Sequence, residues 1–101
     1  MAMQIMSTHD IVSKLRRYKP MAADRYGVTR LGVFGSVARG EHTEDSDVDI
    51  CYEGRIPSLL TLDQMQSDQE QLFGRSVDMV RIRKGMNSLL LNRINKEAIY
   101  V

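Results

Sequence analysis

The sequence predicts an α/β (α+β) domain of two layers, a small mixed sheet with helices packed on it. Three observations carry that expectation. Apolar residues recur at helical spacing in several stretches, short apolar or alternating runs of strand length lie between them, and glycines punctuate the joins. Helices alternating with strands in this way build layered architectures. At 101 residues, the chain fits one domain spanning residues 1–101, with one core, one site and no room for a separate substrate domain.

Each element has its own signal. Ser7 with Asp10 three residues on resembles a capping box, and Ile11, Val12, Leu15 and Tyr18 then share a helical face. Pro20 suits the first position of a second helical piece, which Gly27 would end. Residues 31–34 form a short apolar run that stops at Gly35 and reads as a buried strand, followed by a short helix over residues 37–40. Val48, Ile50 and Tyr52 alternate with Asp47, Asp49 and Cys51, the period of a strand with two unlike faces. Thr61 or Ser58 caps a helix carrying Leu62, Met65, Leu72 and Phe73, with Gly74 just past its end. Residues 77–82 give a third strand. Met86, Leu89, Leu90, Arg93, Ile94 and Ala98 give a last amphipathic helix. The Met and Leu stripes are core positions.

Composition excludes several classes. Fourteen Lys and Arg against 13 Asp and Glu leave a net charge of +1, which argues against direct nucleic-acid binding driven by charge. No apolar run approaches the roughly 18 residues of a membrane span, and the first residues lack the pattern of a signal peptide. A single cysteine, Cys51, can form no internal disulfide and offers no zinc pattern. A cytoplasmic, disulfide-free protein is expected. The balanced total conceals a division: residues 41–53 hold six acids and no Lys or Arg, for −6, while residues 75–101 hold six bases and two acids, for +4.

Three pieces of sequence carry chemistry. Gly35-Ser36 follows a strand and opens a short helix, where glycine admits close backbone approach and free N–H groups face an anion. Alone, such a dipeptide is usually a turn. Asp47-Val48-Asp49 places two carboxylates on one strand face, with Cα atoms about 6.8 Å apart. They repel unless a cation lies between them, and hard divalent ions such as Mg²⁺ prefer oxygen ligands of this kind. Asp78 lies within the apolar strand Val77-Asp78-Met79-Val80. Such an acid is costly unless it pairs with Arg81 or Arg83, stands exposed at a sheet edge, or binds metal. Three acids from two neighbouring strands suit a pair of metal ions about 3.5–4 Å apart, as used in phosphoryl chemistry. Asp45-Ser46-Asp47-Val48-Asp49 also imitates the opening of a calcium-binding EF-hand loop. Ile50 and Ile56 stand where that loop needs Gly and Glu, so the match fails. His42 is expected in solvent, Cys51 as a small core residue, and Arg39, Arg81, Arg83 and Lys84 are unranked candidates for phosphate contact.

Gly35-Ser36, ten further residues and Asp47-Val48-Asp49 resemble the signature of the DNA polymerase beta-like nucleotidyltransferase superfamily. Residues 31–40 and 77–80 are similar to its minimal branch, and the resemblance runs from the first helix to Lys96-Glu97-Ala98-Ile99-Tyr100. The resemblance implies a two-layer nucleotidyltransferase fold. It further implies that Asp47 and Asp49 bind two Mg²⁺ ions and that Gly35 and Ser36 cradle the β- and γ-phosphates of ATP. Asp78 would complete the metal site and help deprotonate the attacking hydroxyl. None of these five positions departs from the motif. Larger members carry extra domains that 101 residues cannot hold; stand-alone members resemble antitoxins that transfer AMP to a tyrosine of a HEPN-type toxin. Two alternatives stay open: a non-catalytic antitoxin or binding module acting by complex formation, and a catalytic subunit that needs a partner chain for another acceptor.

Overall fold

The computed structural model describes residues 6–55 and 58–101. The chain runs α1 (Thr8–Tyr26), β1 (Val28–Phe34), α2 (Gly35–Arg39), β2 (Val48–Gly54), α3 (Leu59–Phe73), β3 (Val77–Arg81), α4 (Ser88–Glu97) and β4 (Ile99–Tyr100). The sheet order is β3-β2-β1-β4. β1 is antiparallel to both β2 and β4, whereas β2 and β3 are parallel, so the sheet is mixed as expected. A parallel pair needs a crossover, and α3 supplies it.

Strand alternation sorts the side chains. Leu31, Val33, Val48, Ile50, Tyr52 and Val77 pack with Ile11, Val12, Leu15 and Tyr18 of α1 and with Met65 and Phe73 of α3. The intervening positions face the other way, where Phe34 and Cys51 are buried with Ile94 of α4. Two helices therefore cover one face of the sheet, and α4 covers part of the second. Asp49 and Asp78 alternate with core residues of β2 and β3, which puts both on the α4 side. Burying the first face anchors the strands that carry the acids.

Several boundaries differ from expectation, each for a physical reason. α1 continues through Pro20 as one helix. Pro20 and Arg16, whose carbonyl loses its partner there, are both exposed, so water can take the missing hydrogen bond. β1 starts at Val28 rather than at residue 31, because Val28 and Arg30 pair with Gly54 and Glu53 across an irregular register. Ser58, not Thr61, caps α3, its hydroxyl accepting from the Thr61 N–H at 3.1 Å. Asn87 caps α4 at 3.0 Å from the Leu90 N–H, leaving Met86 ahead of the helix and Leu89 75% exposed. Ala98 ends α4, and Ile99 and Tyr100 pair with Val33 and Gly32 as a strand. Gly32 permits that crossing, since a Cβ there would lie 2.8 Å from the Tyr100 ring.

Candidate active site

Register assembles the site. Phe34, the last residue of β1, pairs with Asp49, and Asp49 pairs with Asp78 on the neighbouring strand. Gly35 follows directly and opens α2 with φ of +72°. A Cβ at Gly35 would collide with Oδ2 of Asp49, so glycine serves here both for its backbone angle and for the closeness of the carboxylate. The turn, Asp49 and Asp78 thus lie side by side at one end of the sheet. Asp47 lies in the loop just ahead of β2, not on the strand as expected.

The acids are charged neighbours without donors. Asp49 is half-buried, whereas Asp47 and Asp78 are exposed, and β3 is an edge strand. Burial raises the pKa of Asp49 most; Asp78 raises it further, Arg93 opposes, Asp47 adds to the rise and Arg39 opposes again. Among the described residues, none of the three carboxylates accepts a hydrogen bond from a side chain or forms an ion pair, so Asp78 is not tied to Arg81 or Arg83. A half-buried, unpaired Asp49 with two further acids nearby suits a hard divalent cation. Among the described residues, no group of three or more His, Cys, Asp or Glu is arranged to hold a metal ion. The expected three-acid cluster is drawn together by register, not closed.

Other residues hold this end of the sheet in place. Arg75 donates from Nη1 to the carbonyls of Thr43 at 2.9 Å and Ser46 at 3.2 Å, fixing the loop that delivers Asp47. His42 is half-buried rather than in solvent, because Nε2 donates to the Met6 carbonyl at 2.6 Å. Arg39 donates to Glu41 at 3.1 Å and to Glu97 at 2.9 Å, and Glu97 also accepts from the Gly35 N–H at 3.1 Å. Arg93 and Glu97 bring α4 to the site. Neither stands out in sequence, since each lies far from the acids and on a helix whose apolar stripe dominates its pattern. Cys51 is buried as expected, and burial pushes its thiol up to about 11. A separate cavity of about 840 Å³ lies at the other end of the sheet, lined by Gly27, Gly54, Arg55, Arg83 and Lys84 among others. Arg83 and Lys84 therefore sit away from the acids.

The nucleotidyltransferase domain model matches residues 15–101, which include every site residue above. The chain belongs to the nucleotidyltransferase domain family. A protein adenylyltransferase, MntA, of Thermococcus cleftensis is 38% identical over 100 residues, covering 98% of this chain and all of that protein. A solved structure described as a minimal nucleotidyltransferase superposes with a TM-score of 0.77 at 34% identity, over 93% of this chain and 95% of the other. At 17% identity, a chain from the complex of the tri-AMPylated Shewanella oneidensis HEPN toxin with an MNT antitoxin shares the fold, with a TM-score of 0.58 over 97% of this chain and 71% of that one. The protein is an enzyme of the nucleotidyltransferase family, and the mixed sheet with flanking helices is that family's fold. No described helix of this nucleotidyltransferase is long and apolar enough to cross a membrane.

Proposed function

We propose that this nucleotidyltransferase is a protein adenylyltransferase antitoxin, moving AMP from ATP to a tyrosine hydroxyl on a partner toxin of the HEPN type. The observation that carries the reading is the pairing of Asp49 with Asp78 beside the Gly35 turn. The full-length similarity to a protein adenylyltransferase supports the reaction, and the fold shared with an antitoxin in a toxin complex supports the partner. Asp47, Asp49 and Asp78 are the residues that would hold Mg²⁺, as two ions. When bound, magnesium neutralises triphosphate charge and acidifies a nearby hydroxyl.

The chain's own groups do the positioning. Gly35 brings the backbone against the Asp49 carboxylate, and the neighbouring Ser36 would meet the phosphates. The tyrosine oxygen forms a bond to the α-phosphorus while the bond to the β-phosphate bridge breaks. Pyrophosphate leaves, and the hydroxyl proton passes to the exposed Asp78. Orientation and charge compensation supply most of the rate.

Incubating the protein with α-labelled ATP, Mg²⁺ and a HEPN partner tests the reading. Label on the partner that disappears with Asp47→Asn is expected. Should Asp47→Asn and Asp49→Asn variants neutralise the toxin as well as the wild type, complex formation replaces catalysis as the function.

A further inference from the structure

Glu97 is oddly placed for a residue that serves only its own helix. It is the last residue of α4, where a negative charge opposes the helix dipole. Its side chain is nonetheless only 16% exposed, against 65% for Glu41, the other carboxylate that holds Arg39. The two oxygens of Glu97 meet different partners. Oε2 accepts from the Gly35 N–H at 3.1 Å and Oε1 from Arg39 Nη1 at 2.9 Å. The residue is anchored on both sides. α4 precedes it, and two residues later Ile99 pairs with Val33 on the strand that leads into Gly35.

We propose that Glu97 is the positioning residue of the triphosphate site, setting the Gly35 turn and the Arg39 guanidinium relative to Asp49. This rests on reading the site as one for a magnesium–nucleoside triphosphate. Two consequences follow from the geometry. The Gly35 N–H is occupied by Glu97, so phosphate oxygens engage Ser36, through its N–H and hydroxyl, and Gly35 contributes shape. Arg39 is held by the same carboxylate that holds the Gly35 N–H, and Gly35 packs directly against Asp49, so the guanidinium stands where a cation can also meet phosphate. Glu97 touches no reacting atom; it acts through Gly35 and Arg39. A carboxylate that instead competed with phosphate for the Gly35 N–H would loosen binding, and its removal would tighten it. The two roles have opposite signs in binding.

The test is the dissociation constant of Mg·ATP, with a non-cleavable α,β-methylene analogue as a second probe, for wild type, Glu97→Ala, Glu97→Gln and a Lys96→Ala control. Loss of one charged hydrogen-bonding group predicts binding about tenfold weaker in Glu97→Ala. Glu97→Gln keeps one acceptor and falls between, Lys96→Ala matches wild type, and kcat at saturating ATP changes less than KM. In an Arg39→Ala background the effect of Glu97→Ala shrinks. Unchanged or tighter binding in Glu97→Ala overturns the proposal. If Glu97→Ala does not fold, Glu97→Gln decides, and wild-type affinity there overturns it. A wild type that binds Mg·ATP but labels no protein partner removes the adenylyltransferase reading while the ratio of dissociation constants still decides the role of Glu97. A wild type that does not bind Mg·ATP removes both.

Discussion

Asp68 on α3 and Asp49 on β2 are both half-buried aspartates, and the fold treats them in opposite ways. Burial works against the Asp68 charge, but donors overcome it. Gln64 Nε2 donates to Oδ1 at 2.9 Å, and the Tyr26 and Tyr18 hydroxyls donate to Oδ2 at 2.8 and 3.0 Å, so its pKa falls below the usual carboxylate range. Asp49 meets burial with no side-chain donor and with two acids nearby, and its pKa rises. Asp68 ties α1 to α3 and is complete as it stands. Asp49 has no such donors and would be completed by the cation proposed above. A satisfied carboxylate belongs to a structural joint, whereas an unsatisfied one of similar burial is a candidate for binding.

The largest expected effect separates the two on activity. Asp49→Asn should lower AMP transfer by about a thousandfold or more, because it removes a group that would hold the metal. Asp68→Ala should leave transfer within a few-fold of wild type, as read by labelling of the partner. Equal losses from both substitutions would erase the distinction.

Stability should reverse that order. Asp68→Ala removes three donor–acceptor pairs at a partly exposed joint and should cost about 2 kcal/mol, which lowers Tm by roughly 8–16 °C in a domain of this size. Asp49→Asn relieves a raised carboxylate and should leave Tm equal or a few degrees higher in metal-free buffer. A large fall in Tm for Asp49→Asn would mean that the acid is structural after all.

How much of this difference is legible in the sequence depends on range. The alternation of Val48, Ile50 and Tyr52 with Asp49 and Cys51 exposes β2, and the spacing from Gly35-Ser36 to Asp49 points to the candidate site, because both are local patterns. The Asp68 joint depends on tyrosines 50 and 42 residues earlier, and Glu97 lies 62 residues from Gly35; no periodicity encodes such contacts. β4 has two residues, too few to show a period, so no element is read there. Pro20 reads as a break because sequence does not reveal that its missing bond faces water.

A smaller effect concerns pH. The folded pKa of Asp68 is lowered, so its contribution is present above the ordinary carboxylate pKa near 4 and is lost as pH falls through the lowered folded value. The stability gap between wild type and Asp68→Ala, followed by denaturant unfolding, should therefore be constant from pH 7 to 5 and narrow in more acid solution. A gap independent of pH to below 3 would show that packing rather than charge makes the joint. The smallest effect concerns Cys51. With its thiol buried and pushed up to about 11, it should resist thiol reagents at pH 8 until the domain unfolds.

The proposed completion of Asp49 by a cation is tested most directly by the Tm of wild type and Asp49→Asn with and without millimolar Mg·ATP. Ligand at a hundred times its dissociation constant adds about 2.7 kcal/mol to the folded state. The expected result is a rise of roughly 10 °C or more in wild type, little or none in Asp49→Asn, and a rise in Asp68→Ala as large as in wild type. No rise in wild type, or an equal rise in Asp49→Asn, would contradict the assignment of these carboxylates to metal and nucleotide.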